Sequence, residues 1–337
     1  MTETKHPYSG LDPAVVLDAL ESVGLRGDGR MLSLNSYENR VYQAYLEDDS
    51  SVVTKFYRPD RWSNAQIAEE HAFALEIAGR EVPVVAPTVI DGRTLHAHAG
   101  FRFAVYPRRG GRSPDLEDPK VLEWIGRFIG RIHAIGAQSA FLVRPALDPE
   151  TFGIDSRNWL LENDFVPEEL EEAWTNIADL ALDEVERAWE TASGFRSLRL
   201  HGDCHPGNIL WTDPMDGNAS VSVGPHFVDL DDARMGPAMQ DLWMLVSGDR
   251  RGMATQLKHV IDGYEQFFAF DRRELCLLEA LRTLRLLHYS AWIARRWDDP
   301  AFPAAFPWFN TQRYWQDRIL ELREQVAAME EPPLELP

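Results

Sequence analysis

Leu200-His201-Gly202-Asp203-Cys204-His205-Pro206-Gly207-Asn208-Ile209-Leu210-Trp211 is the densest polar cluster in a chain of 337 residues. It lies between apolar segments, so its backbone is anchored while its polar side chains face a common opening. Further on, Phe227-Val228-Asp229-Leu230-Asp231-Asp232 sets carboxylates at the end of an apolar strand. A single aspartate at a strand or loop end reads as a plain turn. The combination reads as a site. Asn208 offers an amide carbonyl and Asp229 a carboxylate, the hard oxygen ligands magnesium takes when substrate phosphates complete its shell. Asp203, five residues before Asn208, is then suited to accept a proton from an attacking hydroxyl.

Working outward, Asp12-Pro13 ahead of Val15, Val16, Leu17, Leu20 and Leu25 predicts a capped helix. Two strand runs, 40–46 and 52–57, flank the polar turn Glu47-Asp48-Asp49-Ser50. Ser63-Asn64-Ala65-Gln66 reads as a capping box that opens a helix to about Gly79. Residues 82–87 lead into further short strands, 101–106 ends that series, and Pro107-Arg108-Arg109-Gly110-Gly111 reads as a linker. Strand alternation puts Lys55 with Val53 and Tyr57 on one side, and Thr54 with Phe56 on the other; Lys55 is expected to face a cleft. Beyond the linker, Val121, Leu122, Trp124, Ile125, Phe128, Ile129 and Ile132 fall at helical spacing. Further helical patterns cover about 167–192, 237–247, 252–269, 271–297 and 311–329, and the Pro-aromatic run 299–308 reads as an ordered loop. The expected class is α+β: a small β-rich unit over 1–106, then a larger α-rich unit over 107–337.

Charge is the outlier of the composition. Lys and Arg number 34 against 54 Asp and Glu, a net charge of −20. A surface that negative repels phosphate backbones and anionic lipid, so neither nucleic acid nor a membrane surface is an expected partner. Hydrophobic residues at 45% and charged residues at 26% fit a globular protein with a sizeable core. The two cysteines, Cys204 and Cys276, exclude a disulfide framework and a four-cysteine zinc site. The N-terminal residues lack the apolar stretch of a signal peptide, and the most apolar run, around 277–293, carries Arg282 and Arg285. The expectation is a cytoplasmic monomer.

The order of parts resembles the aminoglycoside phosphotransferase and choline kinase superfamily, which shares the protein-kinase fold. His201-Gly-Asp203-x-x-x-x-Asn208 followed by Asp229 is similar to its catalytic loop and metal-binding aspartate. Val53-Thr54-Lys55-Phe56 is similar to the strand of the phosphate-binding lysine, and Glu70 to the glutamate that pairs with it. Ser36-Tyr37-Glu38-Asn39-Arg40-Val41 stands where the nucleotide-covering loop lies, Tyr106-Pro107 where the hinge lies, and Asp241 where a buried aspartate braces the catalytic loop. The finer blocks, 34–43, 55–59, 201–205, 227–234, 240–245 and 299–303, resemble a stress-response branch of protein kinases over nearly the whole chain. The resemblance implies a two-lobe Ser/Thr protein kinase that uses ATP and Mg2+, acts on protein hydroxyls and phosphorylates itself. It implies Asp203 and Asp229 as catalytic residues, Asn208 and Asp229 as metal ligands, and Ser36, Val41, Lys55, Glu70 and Tyr106 as nucleotide-binding residues. Two departures stand out: the covering loop has no glycine, and His205 replaces the lysine that protein kinases carry two residues after the catalytic aspartate.

Other readings attach to the same residues. Helical phase alone does not choose between Glu69 and Glu70. His201 is expected to orient the loop through backbone or Asp241, His133 to be a satisfied core histidine, Cys204 to be inert, and Trp243, Trp292 and Trp297 to be core. A small alcohol or amine as acceptor is the main alternative, and the acidic charge favours a cationic one. A hydrolase with a metal on His201, Asp203 and His205 requires a strand there, so that alternate side chains point one way; it leaves Lys55, Glu70 and Asn208 unexplained. A nucleotide-binding scaffold without catalysis leaves a full catalytic set unused.

Overall fold

The computed structural model describes residues 6–213 and 223–337. In chain order its first elements are α1 (Pro13–Ser22), β1 (Gly27–Leu34), β2 (Arg40–Leu46), β3 (Ser51–Phe56), α2 (Asn64–Gly79), β4 (His96–His98) and β5 (Phe101–Pro107). Then come α3 (Pro119–Gly136), α4 (Asp155–Glu162), α5 (Glu168–Thr191), β6 (Leu198–Leu200), β7 (Ile209–Thr212), β8 (Gly224–Phe227) and β9 (Arg234–Gly236). The last are α6 (Arg250–Tyr264), α7 (Leu277–Ala294), α8 (Ala301–Ala305) and α9 (Gln312–Glu330). Two units divide these elements. One takes the chain to Pro114, Leu142–Arg144 and Pro206–Asp232; the other takes Asp115–Phe141, Pro145–His205 and Ala233–Pro337. The first unit therefore runs past the expected linker and gathers in two later segments.

An antiparallel sheet in the order β1-β2-β3-β5-β4 forms the first unit's frame. Its two faces follow strand alternation. Ala44, Phe56, Phe103 and Val105 pack with Val16, Ala19 and Leu20 of α1 in one buried cluster. Tyr57 and Ala104 pack with Ile67 of α2 and with Tyr106 in another. Lys55 lies opposite Val41 and Ala104 in the register, on this second face. Both helices start on side-chain caps: Asp12 accepts from Val15 N, and Ser63 exchanges bonds with Gln66 in the expected capping box, which retains backbone donors that would otherwise be orphaned. The β7–β8 hairpin pairs Ile209 with Phe227, and Val85 N donates to Phe227 O from the other side. β1 was not expected. Its residues are mostly exposed, with no alternating apolar face to read.

The second unit is helical, with only the short β6–β9 pair in it. α3 buries Val121, Leu122, Ile125, Ile129 and Ile132, the face its spacing predicts, while Trp124 and Phe128 are half-buried. Glycines let α3 and α6 approach closely. A Cβ on Gly126 would lie 2.0 Å from Val260 O, and one on Gly263 would lie 1.9 Å from Glu123 O. Trp174 of α5 and Trp315 of α9 cross edge-to-face at 5.7 Å. The expected helix over 237–247 is instead two 3-10 turns, Ala238–Asp241 and Trp243–Leu245. There the backbone bends to serve the catalytic-loop candidate, as described below. Among the described residues, no helix is long and apolar enough to cross a membrane.

Candidate functional site

In the first unit the sheet delivers Lys55 to an acidic centre. Its ammonium lies 2.6 Å from Asp229 Oδ1 and 3.4 Å from Asp231 Oδ1. Lys55 is 6% exposed, whereas the Asp229 side chain is 48% exposed and so remains open to a ligand. Burial alone lowers the lysine's proton affinity, but the two carboxylates outweigh it and hold the ammonium well above its ordinary pKa. Asp231 is buried, yet the cations Lys55 and Arg61 keep its carboxyl low, at about 2. Arg61 bonds Asp231 and reaches Asp232 at 2.8 Å, and Arg144 donates to Asp231 O. The two guanidinium groups lie over the ring of Trp62, at 5.1 and 4.3 Å from its centre.

Asn208 and Asp229 meet at one end of the β7–β8 hairpin. The ladder is extended by Val228 N donating to Asn208 O at 3.0 Å, and Asp229 follows at once. Asp229 has φ +61, a left-handed conformation that aspartate tolerates better than most residues. It turns the chain so that Asp229 and Asp231 both reach Lys55. An amide carbonyl and a carboxylate are a suitable incomplete shell for a hard divalent cation that also takes phosphate oxygens. Among the described residues no group of three His, Cys, Asp or Glu side chains could hold a metal ion without such help.

The loop between β1 and β2 is pinned by its own side chains. Glu38 turns inward to Arg58 and Arg61, at 3.7 and 3.8 Å. Asn39 donates to Asp231 Oδ2 at 3.1 Å and accepts from Arg58 N, without the positive φ its residue type permits. Ser36 is half-buried in this loop, and Val41 opens β2 on the Lys55 face. Tyr106, opposite Val53, also shares that face; its hydroxyl is 2.9 Å from that of Tyr57, which lies 2.6 Å from His71 Nε2.

The structure separates the two adjacent glutamates of α2. Glu69 accepts from the backbone of Leu142, Val143 and Arg144, which ties that strap to α2. Glu70 is 2% exposed, and its Oε2 has no hydrogen-bond partner. Among the described residues it forms no ion pair with Lys55, contrary to the pairing the resemblance implies, because Asp229 and Asp231 stand closer to the ammonium. Its neighbour His71, 3.6 Å away, is pushed down to about 3 by burial and Lys55 and is neutral at pH 7. Burial raises Glu70 from 4.5 to about 7, despite the opposing pull of Lys55. The folded state thus holds this proton more tightly than the unfolded chain. That stabilisation is complete below pH 4.5 and is lost as pH rises through about 7. The expected result is that Glu70→Gln gains on the native protein between pH 5 and pH 8 by something on the order of 3 kcal/mol. Paired denaturant titrations at the two pH values measure it; a gap independent of pH would mean that Glu70 ionises normally.

In the second unit, buried Asp241 organises the loop after β6. It accepts from His201 N and Gly202 N, both at 2.8 Å, and lies 3.0 Å from His133 Nε2. Gln240 Nε2 adds a bond to Gly202 O. His133 is therefore a satisfied core histidine, bonded on its other nitrogen to Tyr264, and it also braces Asp241. Burial alone would raise Asp241, yet bonds and charges from His133, His201 and the loop keep it low. These bonds end β6 at Leu200, and Gly202 takes φ +86. The strand needed for a His201, Asp203 and His205 metal site does not form, and His201 is buried with Nδ1 accepting from Asp203 N. Asp203 is held from outside by Arg285 of α7, whose Nη1 is 2.6 Å from Oδ1, while His205 Nε2 is 3.5 Å from Oδ2. Cys204 is fully buried, and burial with the nearby Asp241 raises its thiol, consistent with an inert residue.

Arg61, Arg144 and Arg285 are the residues that sequence reasoning missed. Arg144 and Arg285 carried a faint signal, as cations inside apolar runs. Arg61, in a polar stretch, carried none.

The two-unit α+β architecture with these side chains belongs to a class of kinase-like phosphotransferases. A family model described as "Phosphotransferase enzyme family" matches residues 32–278, and the chain belongs to that family. Particular relatives are named "Stress response kinase A", from Salmonella choleraesuis and Escherichia coli. Each is 44% identical over 336 residues, which covers 100% of this chain and 99% of the relative. A protein of Salmonella typhimurium named "Serine/threonine protein kinase RdoA" matches to the same extent. The resemblance to a stress-response branch is thereby borne out. Solved structures with the same fold include an amicoumacin kinase in complex with AMP-PNP, Ca2+ and Ami, with TM-score 0.70 and 16% identity, covering 96% of this chain and 95% of that one. A microcompartment-associated aminopropanol kinase has TM-score 0.68 and 18% identity, covering 95% and 97%.

Proposed function

We propose that this phosphotransferase moves the γ-phosphoryl group of ATP, with Mg2+, to Ser and Thr hydroxyls of proteins, its own included. The observation that carries the reading is the 2.6 Å pair of Lys55 and Asp229 beside Asn208. Magnesium, when bound, neutralises the phosphate charge that builds up during transfer. Asn208 and Asp229 hold it, and Lys55 shifts its charge onto phosphate oxygens. Ser36, Val41, Tyr106 and Glu70 complete the nucleotide side of the site. Asp203, oriented by Arg285, takes the proton of the acceptor hydroxyl as its oxygen bonds to phosphorus and the β–γ bridging bond breaks to release ADP. Residues 1–106 cover the nucleotide, and 107–337 supply catalysis and the acceptor side. In this reading the enzyme is a cytoplasmic monomer, with neither nucleic acid nor membrane as partner.

The relatives' names, at 44% identity over the full length, support a protein acceptor. A second reading, transfer to a small alcohol or amine, draws on the two kinases of similar fold named for small molecules, amicoumacin and aminopropanol. Incubation with Mg·ATP and candidate acceptors, followed by mass spectrometry, separates them. Phosphate on Ser or Thr of protein is the expected result; phosphate found only on small molecules would overturn it.

A further inference from the structure

An open groove of about 460 Å3 lies in the second unit, lined by His205, Trp243, Met244, Met253, Arg282 and Arg285 among others. Among the described residues no carboxylate lines it, in a chain whose net charge is −20. Its position is informative, because two residues that touch the Asp203 carboxylate, Arg285 and His205, belong to its wall. A group docked in the groove therefore lies beside the proposed base.

Arg282 and Arg285 stand three residues apart on α7, so they share a face. Arg282 is fixed at one end by Glu279, at 3.0 and 3.1 Å, and lies 5.6 Å from the ring centre of Trp243. Among the described residues its Nη2 meets only Met253 Sδ, at 3.5 Å, and a thioether is a weak acceptor that a carboxylate outcompetes. Arg285 gives one N–H to Asp203, and its side chain is 40% exposed. Trp243, Met244 and Met253 supply an apolar wall. Two guanidinium forks with donors to spare, an imidazole and an apolar wall match a peptide carrying carboxylates. They match poorly the cationic acceptor that the overall charge suggests.

We propose that this groove binds the acceptor segment and selects a serine or threonine flanked by aspartate or glutamate. The inference rests on the protein-kinase reading and names its substrate class. Peptides with one central serine flanked by two aspartates, two asparagines or two lysines test it, with Mg·ATP and the full chain. The aspartate peptide should exceed the asparagine peptide in kcat/KM by about tenfold, the effect of one charge-assisted contact, and the advantage should shrink as salt is added. Arg282→Glu should reverse the order so that the lysine peptide leads, with an unchanged far-UV circular dichroism spectrum as the check on folding. Equal rates, or a lysine preference in the native protein, would overturn the groove assignment and leave the protein-kinase reading intact. Phosphorylation of no peptide, with turnover of a small alcohol, would overturn both.

Discussion

Asp203→Ala is expected to lower phosphoryl transfer roughly 10³–10⁴-fold, the range of a positioned general base, while Mg·ATP affinity stays within about threefold. Different side chains serve the two tasks. Asp203 belongs to a loop whose backbone is held by Asp241 and Gln240, so removal of its carboxylate leaves the loop anchored. Lys55, Asn208 and Asp229 belong to the other unit, with its sheet and hairpin. The loss should thus fall on kcat alone. Arg285 loses its anionic partner, but it is 40% exposed and water replaces the contact at small cost. Single-turnover kinetics beside calorimetric Mg·ATP titration tests this. A variant with native turnover would remove Asp203 from the mechanism, and one that no longer binds nucleotide would make it a structural residue.

Asp229→Asn has the second large effect, and it falls on the metal. Asparagine also accepts positive φ, so the left-handed turn at φ +61 survives and only the charge is lost. Lys55 retains Asp231, at 3.4 Å. The expected result is at least a hundredfold loss in the Mg2+-dependent part of ATP affinity, with binding of metal-free ATP little changed and transfer undetectable. Calorimetric titrations with Mg2+ and with EDTA separate the two. Native magnesium dependence in the variant would exclude Asp229 as a ligand.

The acidic centre shows why the effect at Asp229 should be local. Asp231 is surrounded by Lys55, Arg61, Arg144 and Asn39, so its charge is compensated whatever Asp229 does. Buried charge is tolerated only when paired and hydrogen-bonded in this way. Asp229 is the exposed member, and the one a ligand can recruit without dismantling the rest.

Much of this was legible in the chain itself. Alternation along β3 assigned Lys55 and Phe56 to opposite faces, and the capping box at Ser63 set the start of α2. The order of His201, Asp203, Asn208 and Asp229 announced the phosphotransferase family. Such features are local: strand pleat, helix turn and caps depend on residues a few positions apart, so one sequence contains them. Partners were decided only by the tertiary structure. Helical phase left Glu69 and Glu70 equivalent until the 142–144 strap claimed one of them. Arg61 meets Asp231 across 170 residues of chain, and Arg285 meets Asp203 across 82. An ion pair depends on distance in space rather than separation in sequence, and no periodicity carries that information.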